Sequence, residues 1–244
     1  MYTMAIFFFV VATIATSELF RLIAKFDVAP QEMMGGVLSK LVFLLPVAYF
    51  MELIPLKWLT IIIFAFFILP IIELFRRKNQ ASLNMALGYF PSFFLATPLV
   101  LLMDIALKGD GYDPYLILGF FILIWVYDTG AYLSGSLFGK HKLFERISPK
   151  KTWEGLIGGA IISLLIAIFA VAHFIPGLLA WQWAVVSIIV VVFGTFGDLV
   201  ESMLKRNAHV KDSGSFMPGH GGILDRFDSA FMAAPFFWLF LQWF

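Results

Sequence analysis

The sequence predicts an all-α fold, a polytopic integral membrane bundle of about eight transmembrane helices, and three observations carry that prediction. Of the 244 residues, 61% are hydrophobic and 14% charged, with a mean hydropathy of +0.92, outside the range of soluble domains. The apolar residues fall in continuous runs long enough to cross a bilayer, not in the alternation that an outer-membrane barrel requires. Lysine and arginine are also concentrated in every second connection between those runs.

Apolar stretches interrupted by charge or turn residues give spans at 3–20, 37–55, 57–75, 84–104, 115–137, 155–175, 179–200 and 223–243. The first begins almost at Met1 and has Glu18 near its end. It has neither the basic leader nor the small-residue cleavage site of a signal peptide, so it is expected to remain in the mature protein. Arg76, Arg77 and Lys78 close the third span, and Pro176 and Gly177 separate the sixth from the seventh. Residues 1–112 read as N-terminal membrane helices. Residues 113–244 read as a C-terminal catalytic membrane region with polar loops at 138–154 and 201–222.

The connections after spans one, three, five and seven hold 15 of the 17 basic residues, leaving Lys57 and Lys108 for the other side. The positive-inside rule then puts those four connections in the cytoplasm and both termini outside, and the protein in the cell (inner) membrane as a multi-pass chain. Residues 138–154 and 198–228 hold 16 of the 33 charges. Orientation needs only basic residues, so the acids in these stretches suggest a site facing the cytoplasm. The absence of cysteine excludes disulfides and thiolate zinc centres, and any metal is expected to be hard and oxygen-bound, such as magnesium. A net charge of +1 predicts no nucleic-acid partner. The lipid bilayer and small molecules are the partners to expect.

Three stretches could carry chemistry. In "FGTFGDLVESMLKR", a continuing helix would put Asp198, Ser202 and Lys205 on one face, with Glu201 beside them; a salt-bridged helix end reads equally well. In "PGHGGILDRFD", His220, Gly221 and Gly222 precede a helix whose first turn presents Asp225 and Asp228 three residues apart. Glycine lets backbone approach a phosphate, a helix start favours anions, and a divalent cation would reconcile the phosphate with the aspartates. The alternative is an acid-rich helix start after a glycine turn. In "LIWVYDTGAYLSG", Asp128 lies roughly 13 Å inside the fifth span at 1.5 Å per residue, a depth at which a carboxylate faces a cavity or a partner. A hydrogen bond to Thr129 or Tyr132 is the other reading, and the small residues from Gly130 to Ser136 fit either close helix packing or a polar cleft. In "ISPKKTWEG", Ser148 and Pro149 look like an N-cap and first helical residue of the sixth span. Lys150, Lys151 and Trp153 there suit a membrane interface without any activity. His141 and His173 have no assigned role.

These residues resemble the phosphatidate cytidylyltransferases, also called CDP-diacylglycerol synthases. The resemblance rests on Ser202, Leu204, Lys205, Arg206, Lys211, Asp212, Gly214, Pro218, His220, Gly221, Gly222, Ile223, Asp225, Arg226, Phe227 and Asp228 at fixed gaps, with Met217 where that family prefers Leu, Ile or Phe. "DTGAYLSG" and "SPKKTWEG" extend it over about residues 120–244. Members often carry a further hydrophobic segment ahead of the one ending in a stretch like Glu18 to Arg21.

The resemblance implies transfer of a cytidylyl group from CTP to phosphatidate, giving CDP-diacylglycerol and pyrophosphate in phospholipid biosynthesis. It implies Mg2+ on Asp198 and Asp225, with Asp228 as a ligand or close support. Lys205, Arg206, Lys211 and Arg226 would meet phosphates, Ser202 and the backbone of Gly221 and Gly222 would donate, and His220 would join the substrate site. Asp128, Lys150 and Lys151 would complete the substrate cleft, and a homodimer is expected from the resemblance alone. Another CTP-dependent lipid enzyme, of the polyprenol kinase or CDP-archaeol synthase type, would share this machinery. A cation-coupled transporter could use Asp128 and Asp198 but would not need the histidine-glycine-glycine motif.

Overall fold

The structure is a computed structural model that describes residues 1–107, 111–214 and 221–243. Lys108, Met217, Pro218 and His220 lie outside the described residues. Eight long helices run through the described chain: α1 (Tyr2–Ile23), α2 (Glu32–Phe50), α3 (Leu56–Arg76), α4 (Ala81–Leu107), α5 (Tyr115–Phe138), α6 (Trp153–Phe174), α7 (Ala180–Asn207) and α8 (Leu224–Trp243). The first seven are long and apolar enough to cross a membrane, which makes this a multi-pass membrane protein. Helix α8 has the length but opens with Asp225, Arg226 and Asp228, which lowers its apolar character.

Six of the eight spans fall within three residues of their helices, and the seventh starts within one residue of its helix, which runs on past the expected end at 200 to Asn207. The second is displaced: α2 starts at Glu32 and ends at Phe50, five residues ahead of the expected span at either end. Gly35 lies inside this helix because it packs against the carbonyl of Gly88 in α4, where a Cβ would have no room.

The chain divides into two compact units, Met1–Gly109 with Leu204–Phe227, and Asp110–Met203 with Asp228–Phe244. Leu204–Phe227 groups with the N-terminal helices.

In the first unit α2 packs on α1, α3 and α4. Thr16 and Ser39 hydroxyls meet at 3.1 Å where α1 crosses α2. Glu73 on α3 is buried, and its carboxylate accepts from Gln31 Nε2 at 2.7 Å, Arg76 Nη1 at 2.7 Å and Asn84 Nδ2 at 3.2 Å. A buried carboxylate in an apolar bundle persists only when its lone pairs are met in this way.

In the second unit α5 and α6 pack through small residues. A Cβ at Gly159 would lie 2.8 Å from the amide nitrogen of Ala131 and 2.9 Å from the carbonyl oxygen of Tyr127. Trp183 of α7 is fully buried against Gly119 of α5, and Phe120 stacks on Phe237 of α8 with centroids 5.1 Å apart. A π-helical turn at Val190–Gly194 widens α7 just before Asp198. Beyond it, Gly194 accepts a 3.2 Å hydrogen bond from Ser229 Oγ, and a Cβ at Gly197 would overlap the carbonyl of Asp228. The two helix backbones therefore approach closely where Asp198 and Asp228 reside.

The fold is helical as expected, with one short hairpin in the connection between α5 and α6. Lys142–Phe144 (β1) and Ser148–Thr152 (β2) form an antiparallel hairpin. Ser148 is therefore not the N-cap of α6, nor does Pro149 sit in its first turn. The cap is Thr152, whose Oγ1 accepts from Gly155 N at 3.1 Å. Glu154 closes the base of the hairpin, accepting from the amides of Lys140 at 3.0 Å and His141 at 3.1 Å, with its other oxygen 2.5 Å from His141 Nδ1.

Backbone atoms press on Gly159, so the neighbouring helix cannot yield to a side chain. Gly159→Val is expected to destabilise the protein by about 1–3 kcal/mol, seen as a lower midpoint of thermal unfolding in detergent. An unchanged midpoint would contradict the packing.

Candidate active site

In the second unit, a cleft of about 400 Å³ lies between α5, the hairpin and the start of α6. Its polar lining includes Tyr127, Asp128, Lys150, Lys151, Thr152 and Asp198. Asp128 is exposed to this cleft and, among the described residues, makes no hydrogen bond to Thr129 or Tyr132. The small residues of α5 serve both purposes that the sequence allowed. Gly130 packs on Gly159, whereas Ala131, Gly135 and Ser136 line the cleft.

Helix α7 continues to Asn207, so Asp198 and Ser202 share a face as expected, and Ser202 Oγ donates to Asp198 Oδ1 at 3.1 Å. The other oxygen, Oδ2, is 2.7 Å from Lys151 Nζ. Half-buried Asp228 accepts from the amide of Ser229 at 2.6 Å. Asp128, Asp198 and Asp228 interact electrostatically with one another, and Lys151 with all three. Three carboxylates and one ammonium within electrostatic reach of one another suit a divalent cation. Thr195, one turn before Asp198, donates to Val191 O at 2.6 Å and shares a 2.5 Å hydrogen bond with Tyr127, fixing that turn against α5. Lys150 lines the cleft from the hairpin and is exposed.

In the first unit, the end of α7 and the start of α8 form a second cluster around Asp225. Lys205 Nζ sits 2.6 Å from Asp225 Oδ1. Oδ2 accepts from Ser213 Oγ at 2.8 Å, Ser213 N at 3.0 Å and Gly222 N at 2.8 Å. Gly221 has φ +82°, a left-handed conformation that favours glycine, and so brings the Gly222 amide round to Asp225. That amide, expected to meet a substrate phosphate, is given to Asp225 in this structure. Arg206, Lys211 and Arg226 are exposed around this cluster. His220 cannot be placed with them because it is outside the described residues.

Sequence reasoning missed Ser213, which supplies two of the four described donors to Asp225; a serine between Asp212 and Gly214 carries no signal of its own. Glu18 was noticed only as the end of a span. It is buried, and its Oε2 accepts from Leu224 N at 2.8 Å. Its signal was present, since an acid inside a membrane helix needs a partner. No set of three histidine, aspartate or glutamate side chains among the described residues forms a metal centre alone. Magnesium ordinarily needs only one or two carboxylates beside water and substrate phosphate, so the Asp198 and Asp228 pair remains compatible with it.

Comparison with known proteins gives a consistent result. The model of the cytidylyltransferase family matches residues 1–244. A protein of Staphylococcus haemolyticus named phosphatidate cytidylyltransferase is 51% identical over 130 residues, 53% of this chain and 49% of the relative. One of the same name from Haemophilus influenzae is 45% identical over 144 residues, 55% of this chain and 50% of the relative. The chain thus spans about half the length of the curated relatives it matches.

Thr152 seats the hairpin that carries Lys150 and Lys151. Thr152→Val, which keeps the shape and removes the capping oxygen, is expected to cost about 1 kcal/mol in thermal unfolding, while Thr152→Ser keeps the wild-type value. Equal stability of the valine variant would refute the capping role.

Proposed function

Because the chain belongs to the cytidylyltransferase family, we propose that it transfers a cytidylyl group from CTP to phosphatidate. A phosphate oxygen of the lipid attacks the α-phosphorus of CTP, the bond to the β-phosphate oxygen breaks, and CDP-diacylglycerol and pyrophosphate leave. The observation that carries this reading is the cleft lined by Asp128, Asp198 and Lys151, with Asp228 within electrostatic reach of all three. Phosphates do not approach bare carboxylates, so such a cluster beside a phosphate-transfer site implies a cation between them.

Asp198 and Asp228 would hold a magnesium ion, and bound there it would offset the charge that crowds the reacting phosphates. Asp225 has the same assignment from the motif, and its four donors fix where its oxygens lie. Ser202 orients Asp198 by its hydrogen bond. Lys151, engaged with Asp198 at 2.7 Å, is placed to exchange that partner for a phosphate oxygen. Lys150 offers a second ammonium at the cleft, and Lys205, Arg206, Lys211 and Arg226 supply further phosphate-binding charge. Asp128 faces the cleft and keeps the substrate end polar. Positioning and charge neutralisation account for the chemistry, with no covalent intermediate on the protein.

In this reading the site faces the cytoplasm across the cell membrane, where CTP and the lipid head group are both available. The working unit is a homodimer, an assignment that rests on the resemblance alone.

Purified protein in liposomes containing phosphatidate, given CTP and magnesium, is expected to release pyrophosphate and form CDP-lipid. Asp198→Asn and Asp225→Asn are each expected to lower the rate at least about 100-fold. No turnover by the wild type, or full turnover by either variant, would refute the proposal.

A further inference from the structure

We infer that Glu18, on the first membrane helix, is a positioning residue for Asp225, and that it acts by capping α8 through space. The inference rests on the role proposed above for Asp225. Helix α8 begins at Leu224, and the first amides of a helix have no partner within it. A neighbouring side chain normally meets them, but the residues just ahead of Leu224 are Gly221, Gly222 and Ile223, which offer no side-chain acceptor. Glu18 fills that role from 206 residues away, accepting from Leu224 N at 2.8 Å.

The surroundings are shaped to this carboxylate. A Cβ at Gly222 would lie 2.5 Å from both Glu18 Oε2 and Ser213 Oγ, and a Cβ at Gly214 would overlap Glu18 Oε1. Both glycines are thus required by one buried side chain, which is 2% exposed. The same backbone carries the Asp225 cradle. Gly222 N and Ser213 donate to Asp225 Oδ2, while Gly222 and Ser213 also border the Glu18 carboxylate. Moving Glu18 therefore moves two of the groups that hold Asp225, although its described hydrogen bond is to Leu224 N and not to Asp225. The negative charge at the helix start also matches the helix dipole.

The test uses full-length protein in nanodiscs, comparing wild type, Glu18→Gln, Glu18→Ala and Gly214→Ala by amide hydrogen exchange and by turnover of CTP with phosphatidate. Gly214→Ala keeps the carboxylate but displaces it, so it serves if the other two do not fold. The expected pattern is at least tenfold faster exchange at 222–225 with α2 to α4 still protected, a kcat at least tenfold lower, and a KM for CTP within about twofold. Glu18→Gln, which keeps an acceptor oxygen, is expected to lose less than Glu18→Ala. Unchanged exchange at 222–225 in the variants that fold would overturn the positioning role, as would unchanged kcat alongside an active wild type. An inactive wild type with fast exchange at 222–225 in the variants would instead refute the proposed reaction and leave the cap standing.

Discussion

Among the described residues, four donors close on the carboxylate of Asp225, and much of the first unit can be understood as the means of bringing them there. Lys205 comes from the end of α7, Ser213 from the connection, and Gly222 from the turn into α8. Each of them meets an oxygen of a part-buried carboxylate, and such a charge is stabilised by hydrogen bonds from its surroundings. The left-handed Gly221, the absence of side chains at Gly214 and Gly222, and the buried Glu18 behind them follow from that demand.

The second unit answers a different one. It brings Asp128, Asp198, Asp228 and Lys151 within electrostatic reach of one another, with Lys151 paired to Asp198. The scaffold that permits it is made of close backbone approaches: Gly130 on Gly159, Gly197 on the carbonyl of Asp228, and the π-helical turn ahead of Asp198. Such contacts let polar side chains project into a cleft while the helices remain packed. A hairpin at the cleft mouth adds Lys150 and Lys151 on strand β2, held at its base by Thr152 and Glu154.

Most of the helical layout was legible in the sequence because a bilayer demands long apolar runs, and the basic connections gave an independent check on their number. The pairing of Asp198 with Ser202 was legible too, since helical spacing alone brings them together. The hairpin was not: three- and five-residue strands rich in lysine show no alternation, and Ser148-Pro149 imitates a helix start. The displaced α2 was hidden for a related reason, because Gly35 and Gly36 look like a break until Gly88 is seen to need the space. The partners of Asp225 were half legible. The motif singled out the aspartate, the lysine and the glycines, but the spacing gave no hint that the Gly222 amide would serve Asp225, or that Glu18 would meet α8 from the opposite end of the chain.

The central claim, that this constellation serves transfer of a cytidylyl group and not of a terminal phosphate, is tested most directly by following the phosphorus. Protein reconstituted with phosphatidate is supplied with CTP labelled either at the α- or at the γ-phosphorus, and the extracted lipid is counted. The account predicts label in the lipid from α-labelled CTP and none from γ-labelled CTP. Label arriving from the γ-phosphorus would contradict it.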